Sequence, residues 1–435
     1  MPRPLVVINV VGLTHEMLGP NTPNISGLAD EGFARPMGTV LPAVTCSAQS
    51  TLLTGVAPSE HGIVGNGWYF RDLAEVGFWK QSNHLVGGET VYDAARQRDP
   101  NYTVAKMFWW YNMYARVDWS VTPRPCYAAD GRKLFDSYSD PPGLKGELQD
   151  RLGVFPLLKF WGPGANIESS RWIASASIDV FERYTPNLTL IYLPHLDYNL
   201  QRIGPNNPAI VEDIRLVDSE AGRIIDSAQA RGADVVVLSE YGITEVNRPI
   251  HLNRILREEG YLVARREIGG WESLDCGASC AFAVADHQVA HVYVQRREDV
   301  KPVAELLERV PGVERVLDSD SQDELGIDHV RSGELVVVSD RESWFTYYFW
   351  QNDALAPDYA RTVDIHRKPG YDPVELFVNP KLKLPKLRIA RRLAQKLLGF
   401  RYYMDVIGLD AEIVRGSHGR LPDEGKMDSD GAIFV

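Results

Sequence analysis

Basic residues, cysteines and long apolar runs are all scarce in this chain. Its 435 residues contain 46 Lys and Arg against 58 Asp and Glu, which gives a formal net charge of -12. Binding to DNA or RNA needs a field of the opposite sign, so no polymeric nucleic-acid partner is expected. The 4 cysteines are too few and too scattered for a disulfide framework. Cys276 and Cys280 have no second pair to complete a metal site, so inert thiols are expected.

The apolar runs are too short for membrane insertion. None approaches the length of a transmembrane helix. The first run, residues 5–11 (LVVINVV), is too short and wrongly flanked for a secretory signal. A cytoplasmic location is therefore the expectation.

Three runs rich in β-branched residues predict strands that are buried on both faces of a parallel sheet. They are residues 5–11, Leu188–Leu193 and Asp234–Leu238. Residues 209–231 carry apolar residues at helical spacing between the last two runs, which indicates a doubly wound α/β domain. Functional loops in such sheets follow the carboxyl ends of the strands. Asn9, Asp197 and Glu240 lie at or just after such ends, so we expect them to converge.

The pattern changes between residues 260 and 339, where short strand-like runs at 281–285, 291–295 and 334–339 surround a helical pattern at 300–310. We expect a small α+β subdomain here, inserted into a core formed by residues 1–259 and 340–435. The aromatic stretch 344–350 (WFTYYFW) is expected to return the chain to the core or to line a cleft.

Residues 381–400 (KLKLPKLRIARRLAQKLLGF) are strongly basic and rich in Leu, in a chain that is otherwise acidic. A helix that starts after Pro385 would be amphipathic, a pattern compatible with weak contact to a membrane surface or an anionic partner. The alternative is a packed helix whose cations are solvated or pair with the acidic body.

The most informative stretch is residues 41–66, LPAVTCSAQSTLLTGVAPSEHGIVGN. Thr45 opens an apolar helical run, so its hydroxyl is expected at a helix N-terminus. Backbone N–H groups and the helix dipole favour an anion such as phosphate at that position. The residues alone leave two interpretations open, a phosphate-binding Thr and an ordinary N-cap.

The wider segment resembles the nucleophile segment of nucleotide pyrophosphatase/phosphodiesterases, which belong to the alkaline phosphatase superfamily. In that family a Pro-x-x-Thr turn opens a helix and is followed by TG-x-x-P-x-x-HGI and an Asn. The resemblance implies an alkaline phosphatase-like fold, with a mostly parallel sheet flanked by helices. It implies Thr45 as the nucleophile and Asn66 as a contact of a phosphoryl oxygen, while His61 is interpreted as structural.

Three further segments resemble the metal-binding segments of this family: residues 192–205 (YLPHLDYNLQRIGP), 238–242 (LSEYG) and 416–419 (GSHG). The resemblance implies metal ligands at Asp197, Glu240 and His418. Gln201 and Tyr241 stand where the family has His. Asn9 shares a strand face with Val11, which occupies the position of the first family Asp, and is expected to replace that carboxylate.

These departures change the expected metal chemistry. The family site holds two cations, commonly zinc, whereas oxygen donors in place of imidazoles favour Mg²⁺, Mn²⁺ or Ca²⁺. A single-metal site and a metal-free homologue are the other outcomes that this donor set allows. His366 is the preferred additional ligand, and His195 stands two residues before Asp197 on what is predicted to be the same strand-like face.

The segment 67–80 (GWYFRDLAEVGFWK) supplies expected substrate contacts at Trp68, Tyr69 and Lys80, together with Tyr241 from the LSEYG segment. The alternative for the aromatic residues is ordinary core packing. Asp286 and His287 are interpreted as interdomain or substrate-side contacts rather than as metal ligands.

We therefore expect a metal-dependent hydrolase of phosphodiester or pyrophosphate bonds that acts on a small phosphorylated substrate through a Thr nucleophile. Two alternatives remain open. One is a phosphonate hydrolase or phosphomonoesterase of the same superfamily, and the other is a catalytically silent homologue that binds a phosphorylated ligand.

Overall fold

A computed structural model describes residues 3–435, and its centre is an eight-stranded sheet. Five neighbouring strands run parallel, and antiparallel strands complete both edges. From one edge to the other the strands are Arg35–Met37, Ala432–Phe434, Asp234–Leu238, Leu5–Val10, Leu188–Leu193, Val104–Met107, Trp119–Pro123 and Ser137–Asp140. The three strands predicted from the sequence are the three central ones, and the first ends one residue earlier than expected.

The sheet is covered on both faces, because its strands present apolar side chains alternately to each side. In the Leu5–Val10 strand, Val6 and Ile8 pack in the core under the helices Ile167–Tyr184 and Ile210–Gln229. Leu5 and Val7 pack instead with the cluster that contains Leu53 and Tyr92 of two other helices. The predicted doubly wound α/β architecture is therefore confirmed.

The α-helices of the described chain include two long ones and many short ones. Their bounds are Pro23–Glu31, Thr45–Thr54, Pro58–His61, Val91–Arg98, Leu144–Leu152, Ile167–Tyr184, His195–Ile203, Ile210–Gln229, Leu252–Glu258, Arg297–Leu307, Ser319–Glu324, Pro385–Leu397 and Met427–Asp430. None of the helices within residues 3–435 is both long enough and apolar enough to cross a membrane.

A second, four-stranded antiparallel sheet lies in the region where a subdomain is expected. Its strands, in spatial order, are Ala281–Asp286, Val289–Val294, Leu335–Ser339 and Val313–Leu317. The helix Arg297–Leu307 packs on this sheet, so the predicted strands and helix are present. The division of the chain at residues 259 and 340 stays a prediction.

Short two-stranded pairs complete the sheets. They are Gly67–Phe70 with Glu75–Phe78, Cys126–Tyr127 with Lys133–Leu134, Thr244–Glu245 with Gly416–Ser417, Arg248–Ile250 with Ser343–Phe345, and Ala264–Arg266 with Glu272–Leu274. Trp344, Phe345 and Trp350 of the aromatic stretch are buried in the core beneath the second sheet. That stretch therefore returns the chain to the core.

Candidate active site

Thr45 lies at the start of the helix Thr45–Thr54, but it does not cap that helix. The N-cap position is Val44, which has no side-chain oxygen, and the N–H of Cys46 donates instead to Asn66 Oδ1 at 2.9 Å. The Thr45 hydroxyl is buried and lies 3.0 Å from the Tyr241 hydroxyl. The N-cap interpretation is therefore wrong, and the Thr45 hydroxyl lies free of the helix at its N-terminus, where an anion is favoured.

Two buried carboxylates lie close to Thr45. Glu240 Oε1 accepts hydrogen bonds from Asn9 Nδ2 at 2.5 Å and from Gln49 Nε2 at 2.6 Å. Burial, together with a smaller contribution from the nearby charge of Asp197, raises the pKa of Glu240 to about 8. Burial likewise raises the pKa of Asp197 to about 7. Asn9, Asp197 and Glu240 thus converge beneath the carboxyl ends of the central strands, as the sheet geometry predicts.

His418 reaches the same place with its ring orientation fixed. Its Nδ1 lies 2.9 Å from the carbonyl oxygen of Ala43, so Nδ1 carries the hydrogen and Nε2 keeps its lone pair. Nε2 lies 3.9 Å from Asp197 Oδ1. Burial lowers the pKa of His418 to about 3, so the imidazole stays neutral. The ring is stacked on Tyr241 at 3.8 Å and also contacts His287 at 4.0 Å.

These donors do not fit the two-cation site that the sequence resemblance implies. Within residues 3–435 no three His, Cys, Asp or Glu side chains come together in a metal-binding arrangement. Two of the expected ligands, Asp197 and His418, nevertheless lie close enough together to contact one cation. Two ligands at about 2.1 Å from one cation lie roughly 3–4 Å apart, which is the separation of Asp197 Oδ1 and His418 Nε2.

Buried oxygen atoms near this pair support a cation at this position. Asp197 Oδ1, Glu240 Oε2 and Asn9 Oδ1 have no hydrogen-bond partner among the described residues, and neither does either amide atom of Gln201. Buried polar atoms normally find a partner, so this group is a candidate to coordinate an ion. Gln201 lies one helical turn after Asp197 in the helix His195–Ile203.

Asn66 is held by residues from two distant segments. Asp286 accepts from the Asn66 backbone N at 2.7 Å and from Asn66 Nδ2 at 3.1 Å. The Tyr371 hydroxyl accepts from Asn66 Nδ2 at 2.9 Å, donates to Asp286 Oδ1 at 2.9 Å, and lies 3.1 Å from His287 Nε2. Both N–H groups of the Asn66 side-chain amide thus donate to protein atoms. To contact a phosphoryl oxygen, as expected, Asn66 would have to give up one of these two hydrogen bonds.

Removing the Asp286 carboxylate is expected to weaken both the site and the fold. In Asp286→Ala, three buried donors lose their acceptor, which we expect to reduce kcat at least about tenfold and to lower the free energy of unfolding by about 2–4 kcal/mol. The exposed Asp328→Ala, also on the segment 260–339, is the matched control and should leave both quantities unchanged. Steady-state kinetics and denaturant unfolding measure the two effects, and an unchanged kcat in Asp286→Ala would contradict this role.

An aromatic cavity opens above Thr45. Its walls are Trp79, Trp110, Phe160, Trp161, Tyr198, Tyr241 and Tyr371, with Asn66, Asp197, His287 and His418 among the polar residues that line it. Trp79 packs against Trp110 at 4.6 Å and against Tyr371 at 5.2 Å, so the walls are continuous. No Lys or Arg is among the residues that line this cavity.

Seven predicted site residues do not line the cavity: Asn9, Gln201 and Glu240, described above, and Trp68, Tyr69, Lys80 and His366. Trp68 is buried beneath Arg331, and Tyr69 packs edge-on against Phe282. Lys80 Nζ lies over the Phe70 ring at 6.0 Å, and His366 Nδ1 lies 3.4 Å from the carbonyl oxygen of Trp79. Trp68 and Tyr69 pack against neighbouring side chains, which is the alternative that the sequence left open for the aromatic residues, whereas Lys80 is exposed.

His195 is also placed differently from the prediction. It begins a helix and does not share a strand face with Asp197, and its Nε2 lies 2.9 Å from Asp213 Oδ1. A helix replaces the expected extended backbone here because the strand ends at Leu193 and Pro194 is the N-cap residue of the following helix. The helix places Asp197 and Gln201 on one face.

Several cavity residues were not identified from the sequence. These are Tyr192, Trp110 and Tyr371, whereas His287, which the sequence analysis interpreted as an interdomain or substrate-side contact, also lines the cavity from the hairpin turn between Ala281–Asp286 and Val289–Val294. One sequence feature could have identified Trp110 as a site residue. Trp110 follows the strand Val104–Met107 in an aromatic loop at a strand carboxyl end, where functional loops occur.

Comparison with known structures agrees with the fold of this chain, which is that of the alkaline phosphatase-like α/β proteins. The chain belongs to the type I phosphodiesterase / nucleotide pyrophosphatase family, whose model matches residues 5–372. The resemblance seen in the sequence motifs is therefore confirmed. Members of this family are hydrolases and generally depend on divalent metal ions.

Two solved structures illustrate the shared fold. Phosphonoacetate hydrolase from Sinorhizobium meliloti 1021, in complex with phosphonoformate, aligns with a TM-score of 0.61 at 13% identity and covers 100% of this chain and 89% of that chain. Murine ectonucleotide pyrophosphatase / phosphodiesterase 5 aligns with a TM-score of 0.57 at 16% identity and covers 100% and 87%. An inactive form of the murine protein was solved in complex with AMP.

A curated relative is similar over part of its length. An uncharacterized pyrophosphatase/phosphodiesterase of Schizosaccharomyces pombe is 23% identical over 261 residues, which are 58% of this chain. The match spans about half, 47%, of that relative.

Proposed function

We propose that this chain hydrolyses phosphodiester or pyrophosphate bonds with Thr45 Oγ1 as the nucleophile and with one divalent cation as cofactor. The observation that carries the proposal is the position of Thr45. Its hydroxyl lies at a helix N-terminus, near the buried carboxyl groups of Asp197 and Glu240, and Thr45 lines the aromatic cavity. Family membership supports the same class of reaction.

Tyr241 orients the nucleophile. Its hydroxyl lies 3.0 Å from Thr45 Oγ1, and burial raises the pKa of Tyr241 well above its usual value. Tyr241 therefore stays a neutral phenol, which holds the Thr45 hydroxyl in position and does not remove its proton. Stacking on His418 fixes the Tyr241 ring in turn.

The phosphoryl group would lie between the helix N-terminus and the Asp197–His418 pair. Thr45 Oγ1 attacks phosphorus, the bond to the leaving group breaks, and water then cleaves the phospho-threonine bond. N–H groups of the first turn of the helix Thr45–Thr54 stabilise the charged phosphoryl oxygens. Asn66 holds this turn in place, because its Oδ1 accepts a hydrogen bond from the Cys46 N–H. A divalent cation held by Asp197 and His418 would activate a hydroxyl and neutralise phosphoryl charge.

The cavity favours substrates with one phosphoryl charge. A phosphate monoester carries a second negative charge, and phosphonoacetate carries a carboxylate, which would have no cationic side chain to meet among the lining residues. Apolar aromatic walls instead suit the uncharged second substituent of a diester, whereas the second phosphoryl group of a pyrophosphate would also meet no cationic side chain. Bis(p-nitrophenyl) phosphate is therefore expected to turn over at least about tenfold faster than p-nitrophenyl phosphate.

Removing metal is expected to abolish turnover and adding it back to restore it. Because oxygen donors dominate this site, Mg²⁺, Mn²⁺ or Ca²⁺ should reactivate the chelator-treated protein better than Zn²⁺. Titration calorimetry provides a separate readout, in which Asp197→Asn should weaken binding of the best cation at least about a hundredfold. Asp213→Asn, which alters a carboxylate that pairs with His195, is the matched control.

Two outcomes would contradict the metal assignment. One is a chelated protein that keeps full turnover, and the other is an Asp197→Asn protein that binds the cation as tightly as the wild type. Absence of both cation binding and ester hydrolysis would instead favour the catalytically silent homologue.

A further inference from the structure

The helix Pro385–Leu397 lies on the surface with an unusual orientation, and none of its residues is buried. Ile389 and Leu393 are half-buried, and Ile389 packs against the core, but the other large apolar side chains of this segment face solvent. Leu387 is 65% exposed, Leu397 87% and Leu398, which follows the last helical residue, 73%. At 100° per residue these three Leu lie on one face together with Ala390 and Ala394. This set of five residues is called the apolar face below.

The polar side of the same helix faces the protein. Arg388 and Arg392 both contact the carboxylate of Asp405, and Lys396 Nζ lies 3.1 Å over the Phe135 ring. A surface helix of a globular protein normally buries its apolar side and exposes its polar side. This helix turns Arg388, Arg392 and Lys396 toward the protein beside Ile389 and Leu393, and it leaves the apolar face uncovered.

Cations surround the apolar face. Lys386 and Arg391 are exposed and flank it on opposite sides of the helix, and Lys381 and Lys383 precede it. Residues 381–400 hold seven Lys and Arg and no Asp or Glu, although acidic residues exceed basic ones in the whole chain, 58 to 46. The apolar face continues into Leu384 and Phe400, which are also exposed at the two ends of the helix.

We propose that this helix binds the surface of an anionic phospholipid bilayer, with the apolar face inserted among the acyl chains and the flanking cations at the headgroups. The pattern matches both parts of such a surface, which offers an apolar interior beneath a layer of negative charge. A nucleic acid offers negative charge without an apolar layer. A second copy of this chain, paired face to face about a twofold axis, would bring the same cations together.

Vesicle co-sedimentation of the full chain tests the proposal. The probes are vesicles of phosphatidylcholine alone and vesicles in which one third of the lipid is phosphatidylserine. We expect at least about tenfold tighter binding to the anionic vesicles at low salt, and a loss of this preference at high salt. Leu387→Gln/Leu398→Gln should weaken binding to anionic vesicles at least about tenfold.

Two matched controls separate the proposed surface from general effects. Leu73→Gln/Ile268→Gln changes two exposed apolar residues elsewhere and should retain wild-type binding. Lys386→Ser/Arg391→Ser should reduce the preference for anionic vesicles, whereas Arg297→Ser/Lys301→Ser, on another exposed helix, should not. Hydrolysis of a soluble ester should be unchanged in all four variants, so a failure here is distinct from a failure of the proposed chemistry.

Three results would overturn the proposal. Equal binding to neutral and anionic vesicles would show that the cations do not contribute to binding. No binding to either kind of vesicle would show that the helix does not bind a membrane surface. Self-association that disappears in Leu387→Gln/Leu398→Gln, without vesicle binding, would assign the apolar face to a second copy of the chain.

Discussion

Thr45→Ala is expected to hydrolyse bis(p-nitrophenyl) phosphate at least about a thousandfold more slowly than the wild-type chain. The substitution removes the only atom that the proposed mechanism uses to attack phosphorus. It also removes one hydrogen bond to the Tyr241 hydroxyl, which should cost about 1 kcal/mol of stability. The fold should therefore persist while kcat falls, and denaturant unfolding together with steady-state kinetics measures both quantities.

Thr45→Ser is the matched control, because it keeps a hydroxyl at the helix N-terminus. We expect it to retain a measurable part of the wild-type kcat and to respond to the same cation. Wild-type turnover in Thr45→Ala would show that another group attacks phosphorus. Equal losses in the Ala and Ser variants would indicate that the methyl group and packing, rather than the hydroxyl, matter at this position.

Lys368→Met is expected to produce the largest loss of stability among the substitutions considered. Lys368 Nζ lies 2.5 Å from Glu375 Oε1, and both side chains are almost completely buried. Burial raises the pKa of Glu375, and the Lys368 charge opposes this rise. Removing the cation leaves a buried carboxylate without its partner, which should cost about 3–5 kcal/mol in the free energy of unfolding.

The effect should extend to the active site. The ion pair of Lys368 and Glu375 fixes the segment that contains Ile365 and Tyr371, and both of these residues line the cavity. Lys368→Met/Glu375→Leu removes both charges and should recover most of the lost stability. The exposed pair of Lys301 and Glu305, 4.0 Å apart, provides the control, since Lys301→Met should change stability by less than about 0.5 kcal/mol. A Lys368→Met protein as stable as this control would contradict the account.

The central sheet was predictable because its strands are buried on both faces. Leu188–Leu193 and Asp234–Leu238 are continuous apolar runs, and such runs are typical of parallel strands covered by helices. The strand Val104–Met107 was not identified, because the buried Lys106 interrupts its apolar pattern. The Lys106 side chain can be buried in this strand because its Nζ donates to the carbonyl oxygen of Tyr111. An apolar sequence pattern does not reveal a buried strand that contains such a charged residue.

The site was predictable where it depends on strand ends and on motif spacing. Thr45, Glu240, Asn9, Asp197 and His418 converge for those reasons. The assignment of Trp68, Tyr69 and Lys80 to the substrate was not supported by their positions, because sequence does not show which face of a hairpin packs inward. Tyr371 and His287 arrive from segments more than 200 residues away from Asn66, and such contacts leave no local pattern in the sequence.

The most direct test of the Thr45 assignment is mass spectrometry of protein quenched with acid during turnover of bis(p-nitrophenyl) phosphate. The account predicts a covalent phosphoryl adduct on the peptide that contains Thr45, formed as the first equivalent of nitrophenolate is released and absent in Thr45→Ala. An adduct on any other residue, or an adduct that persists in Thr45→Ala, would contradict the central claim.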